Sequence, residues 1–174
     1  MTTTTDSSTV NLQAHQADPA TVSNLITKYT AIASGAGLLP IPLLDLAALG
    51  GVQLKMLYDL GKLYNYTFDQ YRAKSIIGVL VATIPAGALV RTTASIFKII
   101  PFIGPILGGV SGFIYSAAST YALGQVFNIH FASGLSLLSF DVDKMKAVYK
   151  KYYDEYVSNH GTTTTKTTAT ATAK

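Results

Sequence analysis

Residues 99–140 read IIPFIGPILGGVSGFIYSAASTYALGQVFNIHFASGLSLLSF, forty-two residues without one Asp, Glu, Lys or Arg. Two prolines, Pro101 and Pro105, break the start of this run, and from Gly104 to Asn128 the pattern is that of one helix of about 25 residues. Such a helix is long enough to cross a hydrocarbon core of ~30 Å. Small residues recur along it at every fourth position: Gly104, Gly108, Gly112, Ser116, Thr120 and Gly124. A helix-interior glycine costs about 1 kcal/mol relative to alanine, so a series of them requires a packing reason. The stripe is expected to be a helix-packing face on which a second backbone approaches closely. That second helix is sought in a bilayer, within one chain or between copies in a homo-oligomer. The competing environment is the core of a soluble helical bundle.

Upstream, Ser75–Val90 is a shorter uncharged stretch containing Pro85 and Gly87, with small residues at Gly78, Ala82 and Ala86. Arg91 and Lys98 lie between the two arms. Together the arms are expected to form a central hydrophobic helical hairpin, spanning or re-entrant. Lys and Arg beyond its outer ends favour cytoplasmic termini and an inner (cytoplasmic) membrane location. The N-terminus carries no basic region ahead of an apolar core, so membrane entry is expected to use internal segments.

Further out, Asp18-Pro19 is a helix start, and apolar residues at 3–4 spacing carry a first helix to about Ser34. GLLPIPLLD (37–45) is an apolar proline connection into a second helix over about 43–65, giving an antiparallel pair. A third helix starts near Phe68, capped by Thr67 or Asp69. After a turn at 133–139, Asp141 caps a last helix to about Asn159, with an apolar stripe of Val142, Met145, Val148, Tyr149, Tyr152, Tyr156 and Val157. No segment alternates as a strand does. The expected fold is all-α, a bundle of about five helices over residues 19–159. A flexible arm (1–18) precedes it and a disordered Thr-rich tail (160–174) follows.

Composition narrows the function. Charged residues are 13% of the chain and mean hydropathy is +0.33, about half the charge of an ordinary soluble domain. Net charge is +4, but the basic residues form no dense Arg-rich stripe, so nucleic acid is not an expected partner. Lys144, Lys150 and Lys151, with Tyr152, are assigned to a lipid interface, and the flanking tyrosines to an aromatic belt or to the core. No cysteine is present, the three histidines are far apart, and no acids pair at catalytic or metal-loop spacing. An enzyme, a cofactor and a metal site are therefore not expected.

One further pattern joins Pro40, Pro42 and Asp45 to Gln53, Met56, Leu57, Leu60 and Tyr64. With LLPIPLLDLAALGGVQLKMLYDLGKLY and the later IPFIGPILGG and STYALGQVF, the chain resembles the DUF697 family over about residues 25–130. That resemblance implies a helical, GTPase-associated membrane domain of unknown function, and a P-loop GTPase as a partner. The chain has no P-loop of its own. Pro40, Pro42, Asp45 and Gln53 are the motif residues that could meet a partner. In the alternative reading, Asp45 caps the second helix and Gln53 hydrogen-bonds across the helical pair. The function expected is that of a membrane-associated, self-associating or partner-docking module. A soluble GTPase-binding adaptor and a small pore or remodelling element stand as alternatives.

Overall fold

A computed structural model of the chain describes residues 17–36, 42–84 and 104–171, with side chains over 17–35, 47–84 and 112–161. Five helices account for most of it: α1 (Pro19–Ala36), α2 (Pro42–Leu63), α3 (Gln70–Ala82), α4 (Gly104–Ala132) and α5 (Val142–Ala171). A short 3-10 turn, Leu137–Ser139, lies between α4 and α5. No strand occurs among the described residues, so the all-α expectation holds.

The caps follow local chemistry. Asp18 accepts from the Thr21 amide at 2.8 Å, Asp69 from Arg72 at 3.1 Å and Asp141 from Lys144 at 3.2 Å. Asp69, not Thr67, therefore starts α3. Helix α2 stops where Asn65 adopts φ 56°, and α4 where Gly134 adopts φ 75°. In each case the next amide returns to a carbonyl of the last turn, Tyr66 to Gly61 at 2.8 Å and Leu135 to His130 at 3.4 Å. Helix α5 continues to Ala171 and does not end near Asn159, and no proline interrupts residues 160–171.

Helix α4 is the axis of the bundle, in contact with all four other helices. Helix α1 runs antiparallel to it, with Ile26 against Gly124. Helix α2 runs parallel, with Gln53 at Ser119 and Tyr64 at Asn128. Helices α1 and α2 are thus the antiparallel pair expected from the proline connection. Helix α5 reverses after the loop and lays Tyr149 and Tyr153 against α4, while α3 packs on α2 and α5. The core gathers Ile26, Met56, Leu57, Leu60, Leu80, Leu123, Val126, Phe127 and Phe131. Each such side chain contributes about 1.5–3 kcal/mol of burial.

This corrects the reading of Gly104–Asn128 as a membrane span. Among the described residues, no helix is long and apolar enough to cross a membrane. A helix that is apolar on all sides suits either lipid or a protein core. Here Ser116, Ser119, Thr120 and His130 are buried against other helices and loops of the same chain. Of the first arm, Ser75–Val90, α3 carries the residues up to Ala82. The rest of that arm from residue 85 and the tip of the expected hairpin, through residue 103, lie outside the described residues.

A polar clamp fixes α1 on α2. The Tyr29 hydroxyl donates to Asp59, which also receives the Lys55 ammonium. Burial pushes the Asp59 carboxyl up, but the hydrogen bonds from Lys55 and Tyr29 outweigh it and hold the group below the usual carboxylate range. A carboxylate depressed on folding stabilises above its unfolded value of about 4, and that stability is lost as pH falls through the lower folded value. Asp59→Asn should therefore be less stable than wild type at neutral pH and lose less stability on acidification. Urea melts between neutral pH and about pH 2 measure this. Parallel pH profiles for the two proteins would count against the clamp.

Candidate functional site

The centre of the bundle is polar, which was only partly legible in the sequence. Gln53, 2% exposed, sends its side-chain amide to Ser119 Oγ at 3.1 Å and Thr120 Oγ1 at 3.3 Å. Ser119 Oγ in turn shares a hydrogen bond with the fully buried Tyr149 hydroxyl at 2.9 Å. Three helices, α2, α4 and α5, are thus bridged by one chain of polar groups. Burial pushes the Tyr149 and Tyr153 hydroxyls well above the ordinary tyrosine range, so both stay neutral. The Tyr153 hydroxyl is buried without a hydrogen-bond partner, as is Thr30 Oγ1. The bridge contains no nucleophile–base pair and has no open face, so its chemistry is that of register and specificity in the core.

The small-residue series is used inside the chain. Ser116, Thr120 and Gly124 are buried, and Gly112 is half-buried. A Cβ at Gly124 would lie 2.8 Å from Ile26 Cγ2 and 2.9 Å from Ile26 Cγ1, so this glycine lets α1 approach. Gly104 and Gly108 belong to α4, at the end where the surroundings are outside the described side chains. The shorter series behaves differently: nothing lies within 4 Å of a Cβ at Gly78, Ala82 is exposed, and Ala86 is outside the described residues.

Of the motif residues, Pro42 opens α2 and Asp45 falls within its first turn, so Asp45 is not the cap. Pro40 lies outside the described residues. Gln53 does bond across helices, but to α4 and not to α1. Helix α1 packs on both α2 and α4 and meets α2 at Asp59. Buried Gln53 therefore has no surface from which to touch a partner.

The residues assigned to a lipid interface are partly neutralised. Lys144 pairs with Asp141 at 3.0 Å, Lys146 with Asp143 at 2.7 Å, and Lys150 with Asp154. Over residues 141–155 the sequence holds four lysines and four acids, three of each in these pairs, so the segment has no net charge to attract an anionic surface. Tyr152 is half-buried against Tyr121 at 6.3 Å, with the Lys151 ammonium 5.7 Å from its ring centre. His130 is a core residue whose Nε2 lies 2.8 Å from the Ser136 carbonyl, where only an N–H can serve.

Several clefts border α1, α3 and α5 among the described residues. One, about 540 Å³, opens between the start of α1 and the end of α4 and is lined by Ser23, Tyr64, Gln125 and Asn128. A second, about 370 Å³, lies between α1 and α5 beside Tyr121, Glu155 and Tyr156. A third, about 490 Å³, lies at the start of α3 beside Arg72, Ile76 and Phe140. No group of three or more His, Cys, Asp or Glu able to hold a metal occurs among the described residues. The sequence had no means of pointing to Thr30, Ser119 or Glu155, because each gains its meaning only from a neighbour on another helix.

Fold and site together define a five-helix domain with a polar-bridged core. Its family profile, a domain of unknown function, matches residues 10–156, and the chain belongs to the DUF697 family. A similar protein is Magnetosome membrane protein 22 of Magnetospirillum gryphiswaldense. It is 34% identical over 133 residues, which cover 76% of this chain and 68% of that protein. No solved structure gives a significant match.

Proposed function

We propose that this protein is a membrane-associated helical module that meets the bilayer with one end of its bundle. The observation that carries the reading is topological. The end of α1 and the starts of α2 and α4 point away from the loop at 133–141, toward the same end. The stretches of sequence bordered by these ends are GLLPI (37–41) and PAGALVRTTASIFKIIPFI (85–103), followed by the first turns of α4, GPILGGVS. Together they hold two charges, Arg91 and Lys98, both able to extend to headgroups. Similarity to a protein described as a magnetosome membrane protein supports the same reading. Insertion from one end needs no described helix to cross.

Co-sedimentation with vesicles tests this. The full chain should pellet with them, and Ile100→Asp or Phe102→Asp should weaken binding at least about tenfold, since one apolar side chain contributes about 1.5–3 kcal/mol. Leu138→Asp, an exposed leucine at the opposite end, should bind as wild type does. Binding that survives both substitutions, or is lost only with Leu138→Asp, would sink the orientation. No binding to any vesicle would sink the function.

A further inference from the structure

We infer that the groove between α1 and α5 is a binding site for a small primary ammonium ion. Its volume is about 370 Å³, the size of a small polar ligand with bound water. Glu155 is its only acid and no Lys or Arg lines it; His160, also on its wall, is stacked on the Tyr156 ring at 4.1 Å. Every other acid whose side chain is described bonds an ammonium, a hydroxyl or a helix N-terminus, whereas Glu155 makes no ion pair or hydrogen bond among the described residues. In a chain of net charge +4, that free carboxylate marks the groove as cation-selecting.

The ring faces agree with the charge. Tyr121 and Tyr156 stand side by side at 5.2 Å, tilted by 40°, on the groove wall. Aromatic faces beside a carboxylate attract an organic cation. Thr30, on the α1 side, is 5% exposed and its Oγ1 has no hydrogen-bond partner. A helical threonine ordinarily bonds the carbonyl one turn back, and an unsatisfied buried hydroxyl is unfavourable. Thr30 lines the groove, so an N–H of a ligand seated there would satisfy this hydroxyl. A primary ammonium has three donors, one for each of the acceptors that Glu155, Thr30 and Asn159 bring to the groove lining.

Two sources share this chemistry: free alkanolamines and the ethanolamine headgroup of a lipid. The site does not depend on membrane association, so the two readings fail separately. Titration of the full chain with ethanolamine, followed by amide NMR, should give saturable shifts at Thr30, Tyr121 and Asn159. Glu155→Gln should weaken binding roughly tenfold or more through loss of a charge-assisted bond. Thr30→Val should weaken binding while raising the melting temperature, a combination that a purely structural hydroxyl would not produce. Vesicles containing phosphatidylethanolamine, retained better than phosphatidylcholine vesicles only while Glu155 is intact, would assign the lipid. Equal retention would assign the free amine. Absence of saturable shifts, or equal affinity in Glu155→Gln, overturns the site, and unchanged affinity in Thr30→Val overturns the role of its hydroxyl.

Discussion

Gly124→Leu should destabilise the protein by about 3 kcal/mol, at the upper end of overpacking costs. The missing side chain at this position is what allows α1 to lie on α4. A Cβ would fall 2.8 Å from Ile26 Cγ2 and 2.9 Å from Cγ1. Those atoms belong to the near part of a β-branched side chain on a packed helix, so they have little freedom to give way. Gly124→Ala should be milder, because alanine regains about 1 kcal/mol of helix propensity against the clash. Ile26→Ala alone should cost about 2–5 kcal/mol as a cavity. Combined with Gly124→Leu it should recover part of both losses, because the new side chain fills the space the old one leaves. Urea melts of the four proteins give the coupling. Simple additivity would show that α1 does not approach α4 at this point.

Tyr149→Ala should cost about 3–5 kcal/mol, the range for a large aromatic removed from a sealed core. The ring is fully buried on α5 and packs near Tyr153, with ring centres 6.4 Å apart. Tyr149→Phe should cost only about 1 kcal/mol. Ser119 keeps the Gln53 amide at 3.1 Å when the phenol oxygen is gone, so no buried group is left wholly unpaired. The ratio of the two losses separates packing from the polar bridge. A Phe variant as damaged as the Ala variant would mean that the hydrogen bond, and not the ring, holds α5 in place.

Periodicity and punctuation along the chain are sufficient for the all-α class, the five helices and most of their ends. Asp18, Asp69 and Asp141 cap through contacts three residues away, so their roles can be read locally. The stripe on α5 is legible for the same reason, and its members pack on the core. Family membership is also visible in the motif blocks that open α2 and fill α4.

What surrounds α4 could not be read in this way. An uncharged, glycine-marked helix has the same pattern whether lipid or protein covers it, because both reward apolar area and close approach. Only the arrangement of helices settled the point, by placing Ile26 over Gly124 and Gln53 against Ser119 and Thr120. The pairing of Lys144 and Lys150 with acids three and four residues away is, by contrast, as local as the caps and legible in the same way. Thr30 and Glu155, distant in sequence, border one groove only after α1 and α5 have docked. The chain's own periodicity fixes which face of each helix is apolar. Which helix meets that face depends on long-range packing, and that is where the forty-two uncharged residues divide, with Ser116–Phe131 in the core of the bundle and the first turns of α4 at its proposed membrane end.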